Sequence, residues 1–264
     1  MVQPRIIPCL LVHEGGLVKT TRFADPKYVG DPINAVRIFN EKEVDELIVV
    51  DIDATREGRE PNYQMIADLA NECRMPLCYG GGVKTAEQVQ RIIGFGVEKV
   101  ALSAAAVARP ELVTEAARQV GSQSLVVVLD VARTGLLRRY EVMTHNGTVK
   151  TGLDPVNWAK RLEQLGAGEV VVNSIDRDGL MQGYDLELAS RIREAITLPM
   201  TLLGGAGSLA DIEDLVCTHR VIGAAAGSLF VFKGKYRAVL INYPNRSEKN
   251  ALFERALGLA EVKA

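Results

Sequence analysis

The chain is sparing with the residues that secreted or metal-bound proteins depend on. Its four cysteines, Cys9, Cys73, Cys78 and Cys217, show no CxxC spacing, which excludes a zinc ribbon and argues against a disulfide framework. Cys9 and Cys78 fall inside strand-like runs and read as reduced, buried thiols. Three scattered histidines, His13, His145 and His219, make no metal-ligand pair, so neither a metal nor a cofactor is expected. Charge of one sign is also missing. The formal net charge is -2 in 264 residues with acids and bases interspersed, so no basic block marks a nucleic-acid footprint and no cationic amphipathic stretch marks a membrane surface. Apolar runs such as Leu125–Leu129 are strand-length, far below a bilayer span. The short apolar run before His13 and Glu14 predicts no cleaved leader, and the chain is expected to be cytoplasmic.

What is present is alternation. RIIPCLLV, LIVVDID, PLCYGGG, KVALSA, SLVVVLDV, EVVVNSID, PMTLLGGAG and VIGAAAGS are strand-like, and most are followed by amphipathic stretches of helical period, such as DPINAVRIFNEKEVDE and TAEQVQRIIGFG. Eight such units predict an α/β fold with a closed parallel sheet, the (βα)8 or TIM barrel. The second half repeats the first. GDPINAVRIFNEKEVDELIVVDID aligns with LDPVNWAKRLEQLGAGEVVVNSID at constant offset, pairing Asp31 with Asp154, Pro32 with Pro155, Glu46 with Glu169 and Asp53 with Asp176. Half-barrel duplication explains this, because half a barrel alone leaves a sheet edge unsealed. One domain is expected over residues 1–264, with half-barrels at about 1–122 and 123–244 and a tail over 245–264.

In a βα barrel, chemistry sits at the C-terminal ends of the strands. Gly81-Gly82 after strand three and Gly204-Gly205 after strand seven are related by the repeat, and Gly227-Ser228 follows strand eight, where its counterpart after strand four is Ser103. Such corners let backbone N–H groups approach an anion beside a helix N-terminus. Together they predict a ligand with phosphate at each end.

The segments IIPCL, DELIVVDID, YGGGVKT, GSQSLVVVLD, GLDPVNWAKRLEQLGAGEVV, NSIDRDG, GYDLEL and GGAGSL together resemble the cyclase subunit of imidazole glycerol phosphate synthase, from near the N-terminus through Phe232. The resemblance implies a lyase-type synthase barrel that docks a glutaminase at the N-terminal end of its strands. Ammonia would pass through the barrel to a phosphorylated substrate at the other end. It also implies two catalytic aspartates, ending strands one and five. Asp130 matches the second, whereas the first falls on Leu11, which carries no proton. Ser103-Ala104 stands where the family has an Asn-Thr pair. Lys19 matches a catalytic-site position, and Asp51, Gln123 and Asp178 match substrate-pocket positions. KYRAVLINYP reads as extended where the family has a helix, and Leu252, Phe253, Ala256 and Leu259 recur at helical spacing in the tail.

Arg5, Glu46, Lys99 and Glu169 stand just before or at the start of four strands and alternate in sign. A floor ring for stability alone is met by apolar plugs without the desolvation cost of charge, and the resemblance implies an ammonia gate there. GGLVKTTRF, EGREPN, PLCYGGG and AVLINYP are most similar to a divergent cyclase-like subgroup of surface-polysaccharide pathways. That likeness implies amidine (acetamidino) formation on a nucleotide sugar, with a sugar amidotransferase as a further partner. An ordinary cyclase of histidine biosynthesis, a non-catalytic activator of the glutaminase, and the related sugar-phosphate isomerase are the alternatives. Leu11 counts against both orthodox enzymes, and the charged ring counts against the isomerase.

Overall fold

The computed structural model describes residues 3–258. Among them, eight parallel strands form the barrel: β1 (Arg5–His13), β2 (Leu47–Asp51), β3 (Leu77–Gly80), β4 (Lys99–Leu102), β5 (Leu125–Thr134), β6 (Glu169–Ser174), β7 (Met200–Leu203) and β8 (Gly223–Ala226). They pair in the order β6-β7-β8-β1-β2-β3-β4-β5, and β5 pairs with β6 to close the ring. Closure explains the valine-rich strands, since each is buried on both faces. Inward, Ile7, Cys9, Ile48, Cys78, Ala101, Val126, Val171 and Ala225 fill the bore. Outward residues such as Leu10, Val49 and Val170 pack under the helices.

The duplication is visible in local structure. Helices Pro32–Glu41 and Pro155–Leu165 begin alike: Asp31 and Asp154 accept from the N–H groups of Asn34 and Asn157 at 2.8 and 2.9 Å, each followed by proline at the first turn. An aspartate cap satisfies one of the orphan donors and proline lacks the next. Helices Ala86–Ile93 and Leu209–His219, which follow the two glycine loops, both open with capping boxes, at Thr85 and Ser208.

Two features of the strand ends were not foreseen as strands. β1 runs on into an antiparallel meander with Gly16–Thr21 and Ala24–Gly30, and β5 pairs with Arg139–Thr144, which pairs with Val149–Lys150. Ala24–Gly30 is largely exposed and so lacks the apolar alternation that announces a strand. The first meander folds over the barrel mouth and is tied to the loop after β6. The Asp178 carboxylate accepts from the Thr20 hydroxyl at 2.7 Å and the Phe23 N–H at 3.2 Å, and Arg22 N–H donates to the Asp178 carbonyl at 3.0 Å. Gly179 has φ of +69°, and a Cβ there would run into the Thr20 carbonyl oxygen. Gly179→Ala is therefore expected to cost about 1 kcal/mol or more and to speed proteolytic nicking within residues 14–30. Unchanged cleavage would show that this tie does not hold the meander down.

After β8 the chain makes a short helix, Ser228–Val231, and then pairs Phe232–Lys233 with Ala238–Val239; the stretch 235–244, expected to be extended, holds no helix, and only Ala238–Val239 of it is strand. The helix Arg246–Leu257 buries Leu252, Phe253 and Ala256 beside the helix Leu209–His219, and Arg255 pairs with Glu213 at 2.7 Å. Leu259 and the rest of the expected tail, residues 259–264, lie outside the described residues.

Candidate active site

The C-terminal ends of the strands surround a cavity of about 160 Å3. Gly81, Gly82, Ser103, Gly204, Gly205, Gly227 and Ser228 all line it, so the structure brings together every residue assigned to phosphate on sequence. The glycines are needed for their backbone. Gly81, Gly82, Gly204 and Gly205 have φ of +118°, +74°, +95° and +109°, and a Cβ on Gly204 would lie 2.6 Å from the Ser174 carbonyl oxygen. No L side chain fits that corner without displacing β6.

Asp130 sits half-buried on the cavity wall. It accepts from the Asn173 amide at 2.9 Å, and the Ser103 hydroxyl lies 3.4 Å away. Burial raises its carboxyl to about 6, against the lowering effect of those two donors. A carboxyl of that pKa both gives and takes a proton near neutrality, as a general acid or base must. Leu11 lines the same cavity at the end of β1. The strand partners make the contrast between halves explicit: Leu11 pairs with Val50 in the first half, and Asp130 with Asn173 in the second.

Lys19 enters the cavity from the first meander and is buried, its ammonium donating to the Cys9 carbonyl. Burial lowers its pKa, partly offset by Cys9 and Asp178. Its side chain lies across Gly227, where a Cβ would meet Lys19 Cε at 3.1 Å. Asp178 also lines the cavity, and burial raises its carboxyl despite the donors from Thr20 and Phe23. Asp51, buried at the end of β2, is committed to its own loop, accepting from the N–H groups of Asp53 and Ala54 at 2.9 and 3.0 Å.

Gln123 is a correction. It is exposed in the turn Ser122–Ser124 that precedes β5 and does not line the cavity. A residue before a strand lies at the opposite end of the barrel from one that ends it, and Gln123 is seven positions from Asp130 at about 3.3 Å per residue. Sequence reasoning also passed over Asn173, His145 and Asn146, which line the cavity. Asn173 was detectable as a polar residue inside the buried run VVVNS; the other two depend on the unforeseen hairpin.

At the other end of the bore, Arg5, Glu46, Lys99 and Glu169 close into a ring. Arg5 pairs with Glu46, and with Glu169 at 2.7 Å; Lys99 pairs with Glu46 at 2.9 Å and Glu169 at 2.8 Å. Thr201 adds a hydroxyl donor to Glu169 at 2.6 Å. Gly223 leaves space for that hydroxyl, since a Cβ would collide with it. Burial works to raise the Glu169 carboxyl, but Arg5 and Lys99 outweigh it and hold it below its ordinary value. Among the described residues, no cluster of His, Cys, Asp or Glu is arranged for a metal, and no helix is long and apolar enough to cross a membrane.

A barrel with this cavity, these loops and this floor can be set beside known proteins. The family model described as "Histidine biosynthesis protein" matches residues 5–237. A Leptospira interrogans protein with the provisional name imidazole glycerol phosphate synthase subunit HisF is 57% identical over 253 residues, covering 96% of this chain and 100% of the relative. The chain belongs to the HisF-like family of histidine-biosynthesis barrels. A Vibrio vulnificus relative, provisionally named subunit hisF3 of the same synthase, is 54% identical, with 96% of this chain and 98% of the relative covered. The Alkaliphilus metalliredigens imidazole glycerol phosphate synthase subunit HisF is 43% identical, with 87% and 91% covered. The HisF-like assignment fits the closed barrel, the glycine loops at its mouth and Asp130 at the end of β5. Leu11 remains the departure from the two-aspartate pattern that the family resemblance implies.

Proposed function

We propose that this chain is the synthase barrel of an ammonia-transfer pair. A glutaminase subunit docks at the floor, ammonia crosses the ring and the bore, and an acceptor held by phosphate at the mouth receives the nitrogen. The closed ring of Arg5, Glu46, Lys99 and Glu169 carries this reading. Four partly desolvated charges are a costly way to seal a floor, whereas a polar ring over an apolar bore suits passage of a small neutral molecule and resists the ammonium ion. The repeat-related loops at Gly81-Gly82 and Gly204-Gly205 support a phosphorylated acceptor.

For the acceptor, the reading we favour is amidine formation on the acetamido group of a nucleotide sugar, with a sugar amidotransferase as a further partner. Leu11 supports it. Loss of a general acid or base typically costs about 10²- to 10⁴-fold in rate, so ring closure by the two-aspartate route is poorly served here. A second reading, imidazole glycerol phosphate formation in histidine biosynthesis, is favoured by the relatives described above, all of which are named for that synthase and none for a sugar. One experiment separates the two. Wild type and Leu11→Asp are supplied with ammonium salt and the histidine pathway's bisphosphate ribonucleotide intermediate, and the imidazole product is followed. No wild-type turnover, with partial recovery in Leu11→Asp, is the expected result. Robust wild-type turnover would establish the second reading and overturn the first.

A further inference from the structure

Above the floor ring, the bore offers little to a hydrogen-bonding molecule. Its inward residues are apolar side chains and two buried thiols, and the next layer is Leu11, Val50, Val128 and Leu203. The backbone groups are engaged in the strand ladders. Two polar groups break this pattern: the Lys19 ammonium, already engaged with the Cys9 carbonyl, and Asn173 Oδ1, which is buried and has no hydrogen-bond partner. The residue is only 7% exposed and lines the cavity.

The orientation of that oxygen is fixed by its neighbour. Asn173 Nδ2 donates to Asp130 Oδ1 at 2.9 Å, and turning the amide round would set two acceptor oxygens against each other. Leaving a buried carbonyl oxygen unsatisfied costs about 1–3 kcal/mol, and such an atom usually marks the place of a donor. The occupant must bring N–H or O–H groups, and it must be small, because Gly204 crowds the oxygen: a Cβ there would lie 3.2 Å from it. The half-barrel repeat makes the site one-sided. The equivalent pair in the first half is Leu11 and Val50, neither of which offers a hydrogen bond.

We propose that Asn173 Oδ1 and the adjoining Asp130 carboxylate form a landing site for ammonia, the first point above the floor ring where the molecule finds two side-chain acceptors together. The site holds the nitrogen beside Asp130 and below the phosphate loops. It rests on the ammonia-transfer reading but is independent of which acceptor is used, since it concerns the nitrogen alone.

The test uses the full chain with ammonium chloride, and with potassium chloride as a cation of similar size that has no N–H donors. The Asn173 side-chain amide and the Asp130 carboxyl carbon are followed by NMR. Saturable shifts with ammonium and none with potassium are expected. Asn173→Val should weaken the ammonium response at Asp130 by about tenfold, the equivalent of one hydrogen bond, and Asn173→Thr, which retains an oxygen acceptor, should lose less. Equal responses to the two salts, or an undiminished response in Asn173→Val, would overturn the site. In a turnover assay, ammonium-dependent product with an unchanged KM for ammonium in Asn173→Val would overturn it too, while leaving the ammonia-transfer reading intact. Saturable ammonium binding without product from either acceptor would count against that reading and support the site.

Discussion

Replacing Glu169 with alanine should unfold the barrel more readily than any other single change at its floor. Glu169 is buried and pairs with both cations of the ring as well as Thr201. Its loss leaves Arg5 and Lys99 sharing Glu46 and strands a buried hydroxyl. Removing one partner from a buried ion-pair network costs about 3–5 kcal/mol. For a domain of this size that lowers Tm by roughly 2–4 °C per kcal/mol, measurable by urea or thermal unfolding. The acid limb supplies a second check. Because the Glu169 carboxyl lies below its ordinary value in the folded state, its stabilisation is complete above the unfolded value of about 4.3 and disappears as pH falls through the folded value. Wild type should therefore lose this part of its advantage over Glu169→Ala in acid. A constant difference at every pH would show that packing, not charge, sets the cost.

Asp130→Asn is expected to do the opposite to stability while abolishing most activity. Burial raises the Asp130 carboxyl to about 6, so the folded state binds more protons than the unfolded chain between the ordinary value near 3.9 and 6. Stability then falls as pH rises through that window and is lowest above it. Asparagine removes the penalty and can still accept from Asn173, so the variant should gain on the order of 1–2 kcal/mol at neutral pH and nothing at pH 3. The gain is moderated because the carboxyl opens on the cavity. Nitrogen-transfer activity should fall about 10²- to 10⁴-fold if Asp130 carries the proton. A stable variant with unimpaired turnover would remove Asp130 from the chemistry, whichever acceptor is in use.

Both variants address residues that were legible before the structure. Asp130 stood out because an acid ended an otherwise apolar run, and the ring because acids and bases alternated at strand starts. Gln123 shows where this reasoning fails. Its assignment followed a matched position and ignored the end of the strand to which it belongs; in a parallel barrel that end decides everything, since the two faces are separated by the whole strand. The hairpins beyond β1 and β5 were missed for a different reason. Ala24–Gly30 is exposed on both faces, so nothing in its hydropathy distinguishes strand from loop. Lys19, expected at the catalytic site, reaches it only because that meander folds inward and places the ammonium against the Cys9 carbonyl.

The sequence alone determined the repeated βα units, the glycine corners, the four charges at the floor and the leucine at position 11, because each is written in local polarity, spacing or backbone tolerance. The tertiary structure decided which residues meet. Arg5 finds Glu169 across 164 positions, and Asp130 finds Asn173 across 43. Those distances close only when β5 pairs with β6 and the sheet becomes a ring. Register across a closed sheet is set by the packing of all eight strands at once. An unsatisfied oxygen such as Asn173 Oδ1 therefore becomes visible only when the fold is complete.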